Sequence, residues 1–478
     1  MTEDYPLLIA GVESDNRIKV VSPFDGKKIG HVATADQSDI AQALATADRC
    51  YKNKDGWLSG AARIAVLEKA AAIMQERFEY LATEAAREGG KPLVDSRVEV
   101  ARAIDGVRNC AELLRSEGGR EIPMGINAAS EKHLAFTHRE PIGVVVAISA
   151  FNHPLNLIVH QVGPAVAAGC PVIIKPAEDT PLSCMRFVSI LHEAGLPAEW
   201  CQACLTDGHA TAEKLVTDER VGFFSFIGSA KVGWMLRSKL APGVRCALEH
   251  GGSAPVILAA DADLDESLPM LAKAGFYHAG QVCVSVQRVF APAILAEEVA
   301  QRLAELGNAM LIDDPVLEET DIGPLIRPAE VERVHQWVEA AVSDGAELLS
   351  GGEPASKTCY PATVLLNPAE DSIISQNEVF GPVICVYSYD ELDDAIARAN
   401  SLPFSFQAAV YTRDIDTALH AYKHLNASAV MVNEHTAFRV DWMPFAGLKH
   451  SGYGVGGISY TYEDMTIEKM ILIKSKAI

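Results

Sequence analysis

The chain has 478 residues, of which 49% are apolar and 22% are charged, a composition typical of a folded protein with two or three domains. It carries 63 acidic and 41 basic residues, and the net charge of −22 argues against a nucleic acid as a partner because the surface repels phosphate groups. No apolar run reaches the roughly 18 residues of a membrane span, and the acidic start of the chain does not resemble a secretion signal. We therefore expect a cytoplasmic protein without membrane contact.

The first part of the chain is predicted to be mainly helical. Apolar residues recur every three or four positions in residues 61–87 and again in residues 98–113, which predicts two helices. Residues 119–140 begin among glycines and then alternate loosely between polar and apolar side chains. This alternation predicts an extended, two-stranded excursion.

From residue 141 onwards, short apolar runs alternate with helical patterns. The predicted strands are residues 143–149, 171–175, 200–205, 221–227 and 246–249. The predicted helices are residues 154–168, 181–194, 209–216 and one that opens near Ser229. Strands that alternate with helices in this way predict parallel βαβ units, with helices on both faces of the sheet.

A second α/β series begins near residue 254. Its predicted strands are residues 255–258, 287–290, 347–349, 382–386, 408–411 and 428–432. The tail, residues 469–474, is predicted to be a strand with no obvious partner of its own. Because no glycine-rich or proline-rich linker separates the two series, we expect them to pack tightly and to build one site between them.

Two segments that follow predicted strands have the side chains of a dinucleotide site. Gly228 allows a tight turn and Ser229 opens a helix whose free N–H groups attract a pyrophosphate, although an ordinary capped turn has the same pattern. Lys175 and Glu178 follow another strand, where a cation and a carboxylate can hold ribose hydroxyls. The alternative for this pair is a solvated loop.

Three other side chains have the chemistry of covalent catalysis. Cys283 lies in a glycine-containing segment before a strand, where an exposed thiol can become a nucleophilic thiolate, although most lone cysteines are buried apolar groups. Glu249 is either a base in an apolar cleft or a solvated turn carboxylate. Asn152 either donates its amide to an oxyanion or forms an Asx turn. No set of histidines and cysteines has the spacing of metal ligands, so no metal is expected.

Seven segments combine these candidates in a recognisable order. They are Ser149-Ala150-Phe151-Asn152, Lys175-Pro176-Ala177-Glu178, Phe226-Ile227-Gly228-Ser229 with Gly233, Leu248-Glu249-His250-Gly251-Gly252, Gly280-Gln281-Val282-Cys283, Glu378-Val379-Phe380-Gly381-Pro382, and Pro444-Phe445-Ala446-Gly447-Leu448-Lys449-His450-Ser451-Gly452. In this order and approximate spacing they resemble the aldehyde dehydrogenase superfamily, over nearly the whole chain.

The resemblance implies an α/β fold of the aldehyde dehydrogenase type with three parts. A Rossmann-type dinucleotide-binding domain would comprise residues 1–118 and 141–250, and an α/β catalytic domain would comprise residues 251–445. A small β oligomerisation arm would comprise residues 119–140 and 460–478. The implied assembly is a homodimer or a homotetramer, in which the tail strand adds to a neighbouring subunit.

The same resemblance assigns the chemistry of aldehyde oxidation to the carboxylic acid. Cys283 attacks the aldehyde carbon, Asn152 and the Cys283 N–H hold the oxyanion, and Glu249 activates the water that hydrolyses the thioester. The implied cofactor is NAD, because the Glu178 carboxylate repels the 2′-phosphate of NADP. NADP is the alternative, because Lys175 can tolerate that phosphate. The residues implied to bind the cofactor are Ser149, Phe151, Lys175, Glu178, Gly228, Ser229, Gly233, Gly251, Glu378 and Phe380.

The segment Phe438-Arg439-Val440-Asp441-Trp442-Met443 resembles the branch that contains lactaldehyde and phosphonoacetaldehyde dehydrogenases. We predict that His153, Arg439 and Arg108 line a cationic mouth, which favours a small aldehyde with an anionic or hydroxylated tail. The alternative for Arg439 is a pair with a carboxylate such as Asp441. Two other functions stay open: a succinate-semialdehyde-type dehydrogenase, and a non-catalytic structural relative of the fold.

Three residues depart from the common pattern of the superfamily. Phe151 stands where many members have tryptophan, His250 where many have leucine, and Ala446 where glycine is common. None of the three removes a catalytic group, so we expect them to reshape the pocket only.

Overall fold

Apolar runs of the sequence form strands and amphipathic runs form helices in the computed structural model, which describes residues 3–477. The strands are β1 (Glu3–Tyr5), β2 (Arg17–Val21), β3 (Lys28–Ala35), β4 (Glu121–Ile122), β5 (His133–Pro141), β6 (Val144–Ile148), β7 (Val172–Lys175), β8 (Cys201–Ala203), β9 (Leu205–Thr206), β10 (Val221–Ile227), β11 (Arg245–Glu249), β12 (Pro255–Leu258), β13 (Arg288–Pro292), β14 (Glu347–Ser350), β15 (Thr363–Leu366), β16 (Val383–Tyr389), β17 (Phe404–Ser405), β18 (Gln407–Tyr411), β19 (Ala429–Val432), β20 (Leu448–Lys449), β21 (Gly452–Tyr453) and β22 (Thr466–Lys474). The helices are α1 (Gln37–Lys52), α2 (Gly60–Glu76), α3 (Phe78–Gly89), α4 (Leu93–Ser116), α5 (Asn156–Ala168), α6 (Leu182–Ala194), α7 (His209–Thr217), α8 (Ala230–Arg237), α9 (Leu264–Phe276), α10 (Ala296–Asn308), α11 (Pro328–Ser343), α12 (Ile373–Gln376), α13 (Leu392–Ala399), α14 (Ile415–His424) and α15 (Ile458–Asp464).

Most predicted elements are confirmed, with ends that differ by a few residues. The helix predicted over residues 61–87 is divided into α2 and α3 at Arg77, whose φ of −100° and ψ of 19° leave the helical region. The strand predicted over residues 200–205 is also divided, because β8 pairs with β7 whereas β9 pairs with β3 in a separate sheet. Strand β15 has only four residues and was not predicted.

The first α/β half is built on a six-stranded sheet with the order β21-β11-β10-β6-β7-β8. Neighbouring strands are parallel except for β21, which is antiparallel to β11. The chain passes from β6 to β7 on one side and returns through β10 on the other, so the strand order reverses between β6 and β10. Ligands of open α/β sheets bind outside the carboxyl ends of the strands at such a reversal, which here lies beside Ser149 and Gly228.

Each face of this sheet has its own apolar core, because successive side chains of a strand point to opposite faces. Val145 and Ala147 of β6 pack with α2, α4, α5 and α6, whereas Val144 and Val146 pack with α1 and α7. The sheet is therefore covered on both sides, as the apolar runs predicted.

The second α/β half is built on a seven-stranded sheet with the order β14-β15-β16-β13-β12-β18-β19. Its neighbouring strands are parallel except for β14, which is antiparallel to β15. Cys283 lies in the segment between α9 and β13, next to a small cluster of Val282, Val284, Phe406 and Phe445.

Strand β22 forms an antiparallel three-stranded sheet with β5 and β4. It pairs with β5 from Thr466 opposite Pro141 to Lys474 opposite His133. The prediction that the tail strand has no partner of its own is therefore wrong, because a pairing across more than 300 residues of sequence leaves no local signal. Within residues 3–477, no helix is long and apolar enough to cross a membrane.

Candidate active site

A cleft of about 1500 Å³ lies at the carboxyl ends of the strands of the first sheet and is lined by residues of both α/β halves. Of the residues predicted from the sequence, it is lined by Ser149, Phe151, Asn152, His153, Lys175, Glu178, Gly228, Ser229, Glu249, Gly251, Cys283, Glu378, Phe380 and Arg439. The structure does not bring Gly233 or Arg108 to the lining.

The segment before Cys283 has an unusual backbone. His278, Ala279 and Gly280 have φ values of 51°, 52° and 69°, a run of left-handed residues that side chains other than glycine adopt at a cost. A Cβ at Gly280 would overlap the carbonyl group of Gly381, so this position also requires glycine for space. Strained backbone held by its surroundings is typical of a functional site.

Gln281 holds this strained segment in place. Its Nε2 donates to the carbonyl oxygens of His278 and Pro324, both at 3.2 Å, and its Oε1 accepts from the Ile326 N–H at 2.9 Å. The carbonyl oxygen of Gln281 accepts from Asn152 Nδ2 at 2.9 Å. The Cys283 loop and the end of β6 are therefore joined by a direct hydrogen bond.

Asn152 is buried after β6, with 5% of its surface exposed. One N–H of its amide is used by the bond to Gln281, and the other has no partner among the described residues. The amide group is therefore fixed beside the Cys283 loop with one donor free, as an oxyanion hole requires.

The Cys283 thiol is partly exposed in the cleft. Burial raises the pKa of Cys283 to about 12, and the nearby charge of Arg439 opposes this rise only in part. With its pKa raised in this way, Cys283 needs a base that accepts its proton during attack.

Glu249 ends β11 and lies in the same cleft. Burial raises the pKa of Glu249, and Arg439 opposes the shift. In the part of the chain that the structure describes, no donor is hydrogen-bonded to its carboxylate oxygens. A carboxylate with a raised pKa and free oxygens is suited to accept a proton near neutral pH.

Backbone and polar groups that follow β6, β7 and β10 also line the cleft. Ser229 precedes α8, and its side chain makes no capping hydrogen bond, so the first N–H groups of the helix stay available for an anion. Lys175 Nζ lies 3.6 Å from Glu178 Oε1 at the end of β7. The Ser149 hydroxyl is buried without a hydrogen-bond partner among the described residues.

Glu378 and Phe380 also line the cleft. Burial raises the pKa of Glu378 to about 8, although its Oε1 accepts from the Gly252 N–H at 3.2 Å. The Phe380 ring packs edge-on against the Phe151 ring, with 5.8 Å between centroids. A Cβ at Gly251 would overlap the Glu378 carboxylate, so this approach depends on a glycine.

Arg439 lies beside Cys283 and Glu249. Its guanidinium covers the Phe445 ring, 3.5 Å above the centroid, and its Nη2 lies 3.4 Å from His160 Nδ1. Its Nε has no partner, and no carboxylate within residues 3–477 forms an ion pair with it. Arg439 is therefore a cation whose charge is not paired within this part of the chain.

The predicted alternative, a pair between Arg439 and Asp441, does not form. Asp441 instead accepts hydrogen bonds from Arg102 Nη2 at 2.7 Å and from His160 Nε2 at 2.6 Å. Burial alone would raise the pKa of Asp441, but the bond from His160 and the charge of Arg102 hold it well below its usual value. The Asp441 carboxylate is thus neutralised by Arg102.

Arg108 does not line the cleft, so its predicted place in the substrate mouth is wrong. It is exposed on α4 and lies 3.5 Å from the Gln75 amide oxygen. Arg102, six residues earlier on the same helix, lines the cleft instead. A six-residue step turns a helix by about 240°, so the two side chains leave it in different directions.

Asn156 and His160 line the cleft but were not identified from the sequence. Both bind Asp441, through Asn156 Nδ2 at 3.3 Å and the His160 ring. They are one turn apart in α5, whose other residues are almost all apolar and buried. Two polar side chains with this spacing on a buried helix are the signal that could have identified them.

Comparison with known proteins agrees with this geometry. The model of the Aldehyde dehydrogenase family matches residues 11–471. The chain belongs to the aldehyde dehydrogenase family. The predicted fold class is confirmed, and the protein is an NAD(P)-dependent oxidoreductase that acts on aldehydes.

The relatives of this aldehyde dehydrogenase include proteins with named substrates. The chain is 36% identical over 458 residues to 3-sulfolactaldehyde dehydrogenase from Priestia megaterium. The matched region covers 96% of this chain and 95% of that protein. Aldehyde dehydrogenase 21 from Physcomitrella patens, solved in complex with the reaction product succinate, has a TM-score of 0.95 at 31% identity, with 99% of each chain covered. Glyceraldehyde-3-phosphate dehydrogenase GapN from Methanocaldococcus jannaschii, complexed with NADP, has a TM-score of 0.91 at 32% identity, with 96% of this chain and 99% of that one covered.

The site of this aldehyde dehydrogenase fits a dinucleotide in its own geometry. The start of α8 with its free N–H groups, the pair of Lys175 and Glu178, and the unpartnered Ser149 hydroxyl all line one cleft, and such groups can hold the pyrophosphate and ribose of a dinucleotide. Among the residues described by the structure, no group of three His, Cys, Asp or Glu side chains is placed to hold a metal ion.

Proposed function

We propose that this aldehyde dehydrogenase oxidises a small aldehyde with an anionic tail to its carboxylic acid, through a covalent intermediate on Cys283. The observation that carries the proposal is the position of Arg439, a cation without a carboxylate partner, in the cleft that holds Cys283, Glu249 and Asn152. A partly buried cation that lacks an ion-pair partner favours a ligand that brings the opposite charge.

The proposed chemistry begins at the sulfur of Cys283. The thiol transfers its proton to the Glu249 carboxylate, directly or through a water, as Sγ attacks the aldehyde carbon. The free amide N–H of Asn152 and the Cys283 N–H stabilise the oxyanion. Bound NAD(P)+ supplies the hydride acceptor that allows the adduct on Cys283 to become a thioester.

Glu249 then acts as the base of the second half of the reaction. After Glu249 has released the first proton to solvent, its carboxylate takes a proton from the water that attacks the thioester carbon; it passes this proton to the sulfur as the carbon–sulfur bond breaks, and the acid and the Cys283 thiol are released. The raised pKa of Glu249 makes it a stronger base than an exposed glutamate, and the lack of hydrogen bonds leaves its oxygens available.

Arg439 would bind the anionic tail of the substrate. Two relatives support this substrate class. The relative from Priestia megaterium is named for 3-sulfolactaldehyde, an aldehyde with a sulfonate group, and the structure from Physcomitrella patens contains succinate, a dicarboxylate, as the reaction product. His153 lines the same region, and burial lowers the pKa of His153 well below its usual value, so it contributes a neutral ring. A hydroxyl on the substrate is also compatible with the polar groups around Asp441.

The experiment compares Arg439→Ala with Arg108→Ala, the matched control on the surface of α4. Steady-state rates are measured with succinic semialdehyde and with uncharged butanal. We expect Arg439→Ala to lower kcat/KM for the charged substrate at least about 30-fold more than for butanal, because a buried charge-assisted contact is lost. Equal losses for both substrates would contradict an anion-binding role.

A succinate-semialdehyde-type dehydrogenase is the second candidate, favoured by the product in the relative from Physcomitrella patens. It is separated from a three-carbon substrate by a series of ω-carboxylated aldehydes of increasing length. The non-catalytic alternative is set aside, because the chain is an NAD(P)-dependent aldehyde dehydrogenase.

The cofactor preference is proposed to be NAD over NADP. Glu178 is half-exposed beside Lys175, where its charge opposes a 2′-phosphate. The test is the ratio of kcat/KM for the two cofactors in the wild type and in Glu178→Gln, which we expect to shift towards NADP.

The arm is proposed to join copies of the chain into a homodimer or homotetramer. Strand β22 is the edge of its sheet, and its Met470, Ile471 and Leu472 side chains are 53%, 44% and 52% exposed. An exposed apolar edge strand is a template for pairing with another chain. Light scattering after gel filtration would show a dimer or tetramer, and Leu472→Glu would shift it towards the monomer.

A further inference from the structure

His250 is a buried residue of the cleft to which the proposed chemistry assigns no role. It follows Glu249 at the end of β11 and is 2% exposed. Its ring lies between the Phe226 and Trp234 rings, at centroid distances of 5.7 and 5.9 Å. Burial lowers the pKa of His250, so the imidazole is neutral at neutral pH.

The neutral ring makes one hydrogen bond. His250 Nδ1 lies 2.8 Å from the carbonyl oxygen of Gly228. Because a carbonyl oxygen can only accept, Nδ1 carries the proton and donates it. The other ring nitrogen, Nε2, is buried and has no partner in the part of the chain that is described. The polar contribution of the side chain is therefore directed entirely at Gly228.

Gly228 is the residue through which the chain passes from β10 to α8. Its N–H donates to the Glu249 carbonyl oxygen at 3.0 Å, and its own carbonyl accepts from His250. Two consecutive residues at the end of β11 thus fix both polar groups of this turn. The orientation of the first turn of α8 depends on them, because Ser229 makes no capping bond of its own.

Gly233 lies one turn into α8 and faces the same ring. A Cβ at this position would overlap Cε1 and Nε2 of His250. Because Gly233 has no side chain, α8 packs directly on the imidazole. This packing explains the presence of a glycine at position 233, which was predicted to bind the cofactor but does not line the cleft. The ring is therefore enclosed between the Gly228 turn and the helix that follows it.

We propose that His250 is a positioning residue for the cofactor: its Nδ1–H fixes the Gly228 carbonyl and thereby orients the first N–H groups of α8 towards the pyrophosphate. This inference rests on the proposed placement of the dinucleotide at Ser229. It assigns a role to the residue that replaces the common leucine at this position, and it leaves the chemistry at Cys283 unchanged.

The test compares His250→Leu with His250→Asn, two side chains with the same number of heavy atoms and the same branching. The Nδ2 of asparagine is separated from the backbone by the same number of bonds as Nδ1 of histidine, so it can donate to Gly228, whereas leucine cannot. Calorimetric titration of each enzyme with NAD+ and NADH gives the dissociation constants, and steady-state kinetics gives KM and kcat.

We expect His250→Leu to weaken cofactor binding about tenfold, because a buried carbonyl loses its donor. The KM for NAD+ should rise in parallel, while kcat at saturating cofactor changes by less than about twofold. His250→Asn should recover most of the affinity. If His250→Asn binds as weakly as His250→Leu, the loss belongs to the packing of the ring, and the role of the hydrogen bond is overturned.

Ser229→Glu separates this inference from the proposed placement of the cofactor. Ser229 is exposed, so a carboxylate there can be accommodated, and its charge repels a pyrophosphate at the start of α8. If Ser229→Glu weakens binding but His250→Leu binds as the wild type does, the positioning role is wrong and the placement stands. If both variants bind normally, the placement itself is wrong, and the inference fails with it.

Discussion

Replacement of Asn152 by alanine tests the oxyanion hole of the proposed mechanism. The variant removes the free amide N–H and also the donor that holds the Gln281 carbonyl oxygen at 2.9 Å. Loss of one preorganised oxyanion donor costs about 10²- to 10³-fold in kcat, or about 3–4 kcal/mol of transition-state stabilisation. Asn152 is only 5% exposed, so water cannot easily replace the missing donor, and we expect the upper part of this range.

Asn152→Ala also removes the hydrogen bond to Gln281, so its effect on the position of the Cys283 loop is measured separately. Asn152→Asp keeps the shape of the side chain but has no N–H to donate, so it should lose activity to a similar extent. The rate at which iodoacetamide alkylates Cys283 reports whether the Cys283 loop has moved. A loss of kcat below about tenfold with an unchanged alkylation rate would refute the assignment of Asn152 to the oxyanion hole.

Two further predictions concern buried charges. Lys91→Met should lower the free energy of unfolding by about 3–5 kcal/mol, because Glu99 stays buried without the cation that lies 2.5 Å from it. An unchanged midpoint of chemical denaturation would contradict this prediction. Glu378→Gln should flatten the pH dependence of stability. Burial raises the pKa of Glu378 from 4.5 to about 8, so the folded state holds the proton more tightly and its stability falls as pH rises through this range. The melting temperature of the variant relative to the wild type should therefore be higher at pH 8 than at pH 5, and a constant difference would contradict the shift.

The alternation of strands and helices could be predicted because the spacing of apolar residues within each segment indicates a strand or a helix. The apolar run of β6 and the pattern of α5 each need only the residues within one element. The turn after β10 could likewise be identified from Gly228 and Ser229, since a tight turn and a helix start have local residue preferences.

The remaining features depend on residues that are distant in sequence. The pairing of β22 with β5 and the bonds from Arg102 and His160 to Asp441 join segments hundreds of residues apart. The protonated state of the Cys283 thiol depends on burial, which a residue type does not reveal. The choice of Arg102 over Arg108 required the rotation of α4 about its axis, which an amphipathic pattern defines only approximately.

The most direct test of the account is the trapping of the intermediate on Cys283. Glu249→Gln is incubated with NAD+ and an aldehyde, digested, and analysed by mass spectrometry. Loss of the Glu249 base slows the attack of the thiol, so the incubation is long; the account predicts that an acyl group then accumulates on the sulfur of Cys283, because the thioester that forms cannot be hydrolysed without the Glu249 carboxylate. Absence of this adduct, together with aldehyde oxidation by a Cys283→Ala variant, would contradict it.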